Sequence, residues 1–462
     1  MNNTALWRTL ALLGSLALAP AQAQTEEPAN DIALDGPRSA GLGFAPRIEQ
    51  SPYVGAGHHF DLLPLYLYEG SRLYLHATRV GIKLLDTPTH RVDALVDRRL
   101  EGFSASSAPS SLAGMATRTA SVDWGLAYRH SQPWGKLKVE LLGDANHSHS
   151  GAELRLGYSR EWQHGPWTWR PSLSVGWRSA GLNNYYYGVR PGEASATRPA
   201  YAPGAEAQAT LSLNLAYDLS AHWQLITGLS ATRLGDKGTD SPIVQRRVLP
   251  AYYLGAVYDF GQPQRDRGAP DSPMHWKLLH GGATENGCHL IRIMTGQCLS
   301  TATVNPTRIT AIQVGRPFIR NFNGWPLDVV GYVGVTHHDD RQLQPAGLQL
   351  DLFMKAYYSG FPWQPYIKTR LGWGMGASLA QRVPYIEASS QAASGEQTSR
   401  LLNYLEPTLD VSLGDLIGYR PLKDTYVGIG VSHRSGIFKS SRLLGNVNGG
   451  SNYLYGFVES VY

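Results

Sequence analysis

From residue 41 onward the chain is written in segments of about ten residues in which apolar and polar side chains alternate, with turn residues between one segment and the next. In KLKVELLGDA (136–145), Leu137, Val139 and Leu141 share one face, and Lys136, Lys138 and Glu140 share the other. A period of two is the signature of strands with two unlike faces. No apolar run after residue 23 reaches the ~18 residues of a membrane-crossing helix. A β-barrel crosses a membrane without one, because every backbone group is paired between strands.

Composition narrows the class further. Of 462 residues only 17% are charged, while Gly (50) and Tyr (25) are plentiful. That is too apolar for a disordered chain and too rich in Gly and aromatics for a helical cytosolic enzyme. The net charge of +5 is spread along the chain, which argues for no nucleic-acid partner and suits anionic lipid headgroups. Residues 1–23 read as a secretory signal peptide, with Arg8 in the charged region, TLALLGSLALAP as the apolar stretch and Ala21-Gln22-Ala23 as the cleavage site. Export favours a disulfide between Cys288 and Cys298, the only two cysteines, worth about 2–3 kcal/mol. Their spacing and surroundings suit no metal site, and no cofactor motif is present.

Abundant Tyr and Trp near segment ends, together with export, point to an all-β protein of transmembrane barrels. After a flexible lead (24–40), residues 41–260 give about ten to twelve strands. They fall near 42–48, 60–70, 71–85, 91–99, 120–130, 136–145, 152–162, 167–178, 206–219, 223–234 and 250–260. The last ends on Phe260, the aromatic close usual in outer-membrane barrels, and 261–274 reads as a Pro/Gly-rich linker. A second series runs through 275–462: about 275–283, 307–319, 326–337, 346–358, 364–375, 402–412, 424–435 and 452–462, again ending on an aromatic, Tyr462. Two such endings predict two tandem antiparallel barrels, the second of eight strands, with one large barrel as the alternative. With the chain end in the periplasm, the outward loops of the second barrel are 284–306, 338–345, 376–401 and 436–451.

One constellation carries chemistry. In DTYVGIGVSHRSGIF (424–438), Val427, Ile429, Val431, His433 and Ser435 share the lipid-facing parity. In the last strand Tyr462, Ser460, Val458, Gly456, Leu454 and Asn452 share it too. His433, Ser435 and Asn452 thus meet at the outer end of the barrel exterior, His433 and Ser435 about 6.6 Å apart along the strand. Ser435 as nucleophile, His433 as general base and Asn452 as the group that orients the ring would suit attack on an ester of a lipid. The bland reading is three polar residues in the outer girdle.

SHRSG followed by GNVNGGSN and a final strand resembles the PagL-type lipid A 3-O-deacylases. The resemblance implies an eight-stranded barrel with a catalytic triad on its outside, lipid A of lipopolysaccharide as substrate and no cofactor. It places the base on His433 and the nucleophile on Ser435. Asn452 stands at or near the family's Glu, and Gly436 stands where the family has the Asn that helps hold the oxyanion, leaving only a backbone N–H there. Glu387 and Glu396, in the loop 376–401, are the alternative carboxylates. Residues 40–260, through GLGFAPRIEQSPY and the pairing YYYGV with PAYAPGA, resemble the MipA/OmpV family. That implies an outer-membrane barrel and, from one member, a scaffold role for periplasmic peptidoglycan enzymes. A scaffold or solute-permeation pair of barrels is therefore the competing function.

The remaining candidates read as bland. His337-His338-Asp339-Asp340 and His58-His59 are expected to be solvated turns, since neighbouring strand residues point to opposite faces. Tyr185–Tyr187 are barrel-mouth or girdle aromatics. Arg434, Lys439 and Arg442 either pair with lipid A phosphates or are solvated loop charges.

Overall fold

The computed structural model describes residues 40–105, 108–118, 121–260, 273–285 and 287–462. Residues 1–23, read as a signal peptide, the lead up to residue 39 and residues 261–272 of the expected linker 261–274 lie outside the described residues. The chain forms two closed antiparallel barrels in tandem, which excludes the single large barrel.

The first barrel comprises β1 (Ala40–Gln50), β2 (His58–Glu69), β3 (Leu73–His76), β4 (Arg79–Asp86), β5 (His90–Arg98), β6 (Val122–Gln132), β7 (Gly135–Asp144), β8 (Ala152–Ser159), β9 (Trp162–His164), β10 (Trp167–Arg178), β11 (Glu206–Asp218), β12 (Trp223–Arg233) and β13 (Val248–Asp259). The short β8 and β9 share one place in the wall, both paired to β10, and the β13–β1 pairing closes the cylinder. The second comprises β14 (His275–Ala283), β15 (Arg308–Ile319), β16 (Leu327–Asp339), β17 (Gly347–Tyr358), β18 (Thr369–Ala380), β19 (Leu401–Ser412), β20 (Thr425–Ser435) and β21 (Gly450–Val461), closed by β14 on β21.

The alternation sets the two faces of each wall. Leu126, Leu141, Leu156 and Leu211 of the first barrel, and Leu278, Ile312, Val335 and Ile429 of the second, are exposed on the outside. The buried side chains include Arg79, Asp97, Glu140, Lys277, Lys355, Glu406 and Glu459. Apolar outside and charged inside inverts a soluble protein and fits a wall facing lipid. In the second barrel the interior is packed. Glu406 accepts from Lys355 Nζ (2.8 Å), Gln313 Nε2 (2.7 Å), Tyr404 OH (2.8 Å) and Lys277. Glu459 pairs with Arg370 (3.0 Å) and His275 (2.9 Å) and takes the Tyr357 hydroxyl (3.0 Å).

Two strands depart from the sequence reading. The fifth strand of the second barrel, expected at 364–375, is shifted along the chain: β18 begins only at Thr369 and runs to Ala380. Pro362 and Pro365 lack the N–H a ladder needs, so the stretch before Thr369 stays in the inward turn. Residues 71–85 are not one strand but a tight hairpin, β3 and β4, turning at Ala77 with φ of 48°. This break leaves a notch. β2 pairs with β3 only through Leu67–Glu69, so the edge of His58–Leu65 has no strand beside it.

The loop 436–449 of the second barrel fills that notch. Leu62 N–H donates to Ser440 O (2.5 Å). Arg442 donates from Nε to Asp61 (2.7 Å), from its own N–H to Asp61 (3.0 Å) and from Nη2 to Glu49 (2.6 Å). Leu443, Leu444 and Val447 are buried against Ala45, Leu63, Leu65 and Leu67, which lie on the lumen side of β1 and β2. Tyr66 also bonds Asn403 across the two outer walls. At the inward end Phe322 packs on Tyr258, ring centroids 5.5 Å apart.

Candidate functional site

The outer end of β20 and β21 holds the sequence-derived constellation. The two strands pair with His433 directly opposite Asn452 and Ser435 opposite Gly450. All three polar side chains lie on the parity of Ile429, which is 59% exposed on the outer wall. His433 and Asn452 touch: Nδ1 and Oδ1 are 2.6 Å apart.

Asn452 is held from its other side. Its Nδ2 donates to the Cys288 carbonyl (3.0 Å), which turns Oδ1 toward the imidazole. An oxygen acceptor at Nδ1 assigns the ring proton there and leaves the Nε2 lone pair free to take a proton. The Cys288 carbonyl belongs to the first outward loop, where Cys288 and Cys298 form a disulfide with Cα atoms 5.8 Å apart. That loop folds down the outside of the barrel, and Ile293 and Cys288 cover Val431. Neither the loop's descent nor the role of the Cys288 carbonyl was read from sequence. The one signal was LIRIM (290–294), an apolar patch in an otherwise polar loop.

Ser435 sits two residues beyond His433, where β20 ends. Its Oγ accepts the Ile437 N–H (3.2 Å), and no hydrogen bond joins it to His433 among the described residues. Gly436 N–H donates to Gly449 O (3.0 Å), so it offers itself to an oxyanion only if that bond opens. The three residues that follow, Ile437, Phe438 and Lys439, all have left-handed φ, at 52°, 54° and 60°. For a β-branched Ile this conformation is costly, and here it directs the chain from the site into the notch of the first barrel.

Other candidates are placed elsewhere. Glu387 and Glu396 do not approach His433. Glu387 is fully buried and bonds Arg434 (3.1 Å) and Ser451 (3.3 Å), and Glu396 pairs with Lys439. Arg434 is no phosphate ligand or loop charge: it has lumen parity and is bound to Glu387, Ser378 and the carbonyls of Ser399 and Arg400. Arg442 is likewise taken, by the first barrel. His338 and Asp340 are buried rather than solvated, bonded to Gln349 (2.9 Å) and Gln344 (2.6 Å). His58 and His59 open β2 rather than a turn, and no group of metal ligands occurs among the described residues. Tyr186 and Tyr187 sit on the helix Ala180–Tyr187, buried in the mouth of the first barrel beside Tyr53 and Phe103.

Residues 42–260 match the family model described as MltA-interacting protein MipA. The MltA-interacting protein of Escherichia coli K12 is 26% identical over 221 residues, 47% of this chain and 89% of that one. Outer membrane protein Omp26La of Vibrio anguillarum is 32% identical over 29% of this chain and 53% of its own. Among solved structures, LpxR from Salmonella typhimurium aligns at 10% identity over 67% of this chain and 88% of that one; its TM-score of 0.18 is too low to bear on the site. The barrels, their apolar outer walls and these relatives make the chain an outer-membrane protein, with the MipA/OmpV likeness lying in its first barrel.

Proposed function

We propose that the second barrel hydrolyses an acyl ester of an outer-leaflet lipid, with lipid A as the leading substrate. The observation that carries the reading is the His433–Asn452 contact of 2.6 Å, on the outer wall, with Ser435 on the same face. The site lies where a substrate's acyl chains would rest against the apolar wall, so the ester need not enter the lumen.

In this reading Ser435 Oγ attacks the ester carbonyl and His433 Nε2 takes its proton. The imidazolium then gives that proton to the departing alkoxide, leaving an acyl-serine that water hydrolyses by the same route. Asn452 keeps the ring in the working tautomer. It carries no charge, so it orients the imidazolium without neutralising it.

The test compares wild type with Ser435→Ala in an outer membrane that makes lipid A, reading the lipid by mass spectrometry. The expected result is loss of one hydroxyacyl mass with wild type only, a fall of about 10⁴-fold or more for the variant. Identical lipid A from both, with both proteins folded and inserted, overturns the reading for lipid A.

For the first barrel we infer a different role, supported by its match to the MltA-interacting protein: docking of a peptidoglycan enzyme at the periplasmic turns. A photo-crosslinker placed in the inward turn 219–222 should capture such an enzyme in cells. Absence of any cell-wall enzyme among the adducts from every inward turn of this barrel overturns it.

A further inference from the structure

The outer half of the first barrel encloses a cavity of about 120 Å³. Leu63, Ala77 and Thr78 bring the notch into its wall, and Arg442 enters from the loop of the second barrel. Five arginines line it, against three carboxylates, Glu49, Asp97 and Glu101.

Four of those arginines are paired with carboxylates: Arg47 with Glu49, Arg99 with Asp123, Arg155 with Glu140 and Arg442 with Asp61. Arg98 makes no ion pair among the described residues, and its Nε is buried with no hydrogen-bond partner. His59 Nε2, on the same cavity, is also buried without a partner. Buried polar groups are almost always satisfied, so two unsatisfied nitrogens on one cavity, one of them on an arginine with no anionic partner, call for a ligand. A guanidinium presents a planar fork that fits the oxygens of a carboxylate or phosphate.

We propose that this cavity binds a small oxyanion, a phosphate or a short-chain carboxylate, with Arg98 as principal ligand and His59 as second. A cavity of about 150 Å³ accepts a benzene ring, which sets the scale: the ligand is a few heavy atoms, not a whole lipid. The site is independent of the ester chemistry in the second barrel and stands or falls separately from it.

The test is isothermal titration of the full-length protein in detergent, once with inorganic phosphate and once with propionate. Saturable binding of at least one in the millimolar range or below is expected, and which of the two saturates identifies the ligand class. Arg98→Gln should weaken that binding about tenfold or more and His59→Ala about threefold, while Arg72→Gln, on the exposed surface, leaves it unchanged. Absence of saturable binding of either anion, or equal binding by wild type and Arg98→Gln, overturns the proposal. If Arg98→Gln does not fold, the wild-type Arg98 Nε–H resonance decides: it shifts with the titration midpoint, and an unmoved resonance overturns the proposal.

Discussion

Inside the second barrel, Glu406 and Glu459 are surrounded by cations and hydroxyls until both are saturated, and the aromatic rings of Tyr332 and Phe353 stack in the remaining space, 5.2 Å apart. Inside the first, the mouth carries a helix, the wall carries a notch, and two buried nitrogens on one cavity lack partners. The same period-two sequence pattern built both walls. What differs is how each interior is filled: clusters of cations and hydroxyls gathered on Glu406 and Glu459 in the second barrel, a helix-capped mouth and a notched wall in the first. A packed lumen also gives a rigid platform, which suits chemistry on the outer wall.

The largest expected effect tests the packed lumen. Glu406→Ala would leave Lys277 and Lys355 facing each other without their anion, at a cost of about 3–5 kcal/mol. The folded form of the second barrel should then melt well below that of wild type, while the first keeps its strands by circular dichroism and protease resistance. Simultaneous loss of both barrels would show instead that the seam along loop 436–449 couples them into one cooperative unit.

Next is the seam. Arg442→Ala strands the buried Asp61 carboxylate, with Arg47 its remaining cation at 3.7 Å, and should cost about 2–3 kcal/mol. Protease cleavage within 436–449 should rise, and unchanged cleavage would mean the first barrel does not hold this loop. The paired change Cys288→Ser with Cys298→Ser should cost about 2–3 kcal/mol, mostly within loop 284–306. The ester turnover proposed above should fall although the barrel stays folded, because the carbonyl that turns Asn452 is no longer fixed. Equal turnover would separate the disulfide from the site.

The smallest effect lies at the mouth of the first barrel. Burial alone would raise the Glu193 carboxyl, but hydrogen bonds from Arg118 and from the N–H groups of Arg190 and Ala116 hold it at about 2. Its pKa is therefore lower folded than unfolded. The stability it adds is complete above the unfolded value of about 4.3 and is lost as the pH falls toward 2. Hydrogen exchange at 190–198 should quicken across that window in wild type. Glu193→Gln should exchange faster throughout and lose the acid dependence; an unchanged profile would place the pH response elsewhere.

Much of this was legible in the sequence, and what was not has physical causes. The faces of β20 and β21 follow from parity, which is why His433 and Asn452 come together as read. The only mark of the β3–β4 hairpin in this stretch is a flip of parity at Thr78-Arg79, from apolar Leu73, Leu75 and Ala77 to apolar Val80, Ile82 and Leu84, with no Gly or Pro to mark the turn. Arg442 reads as a solvated loop cation, and its acceptor Asp61 lies 381 residues away, beyond any local pattern. The Asn452–Cys288 contact is hidden for the same reason: a backbone carbonyl leaves no trace in residue type.

The notch in β2 also makes one wall depend on the other barrel. The edge of His58–Leu65 has no strand of its own beside it and is covered instead by residues 436–449, the loop beyond the next-to-last strand of its neighbour. The wall that comes first in the sequence is completed by a piece that comes almost last.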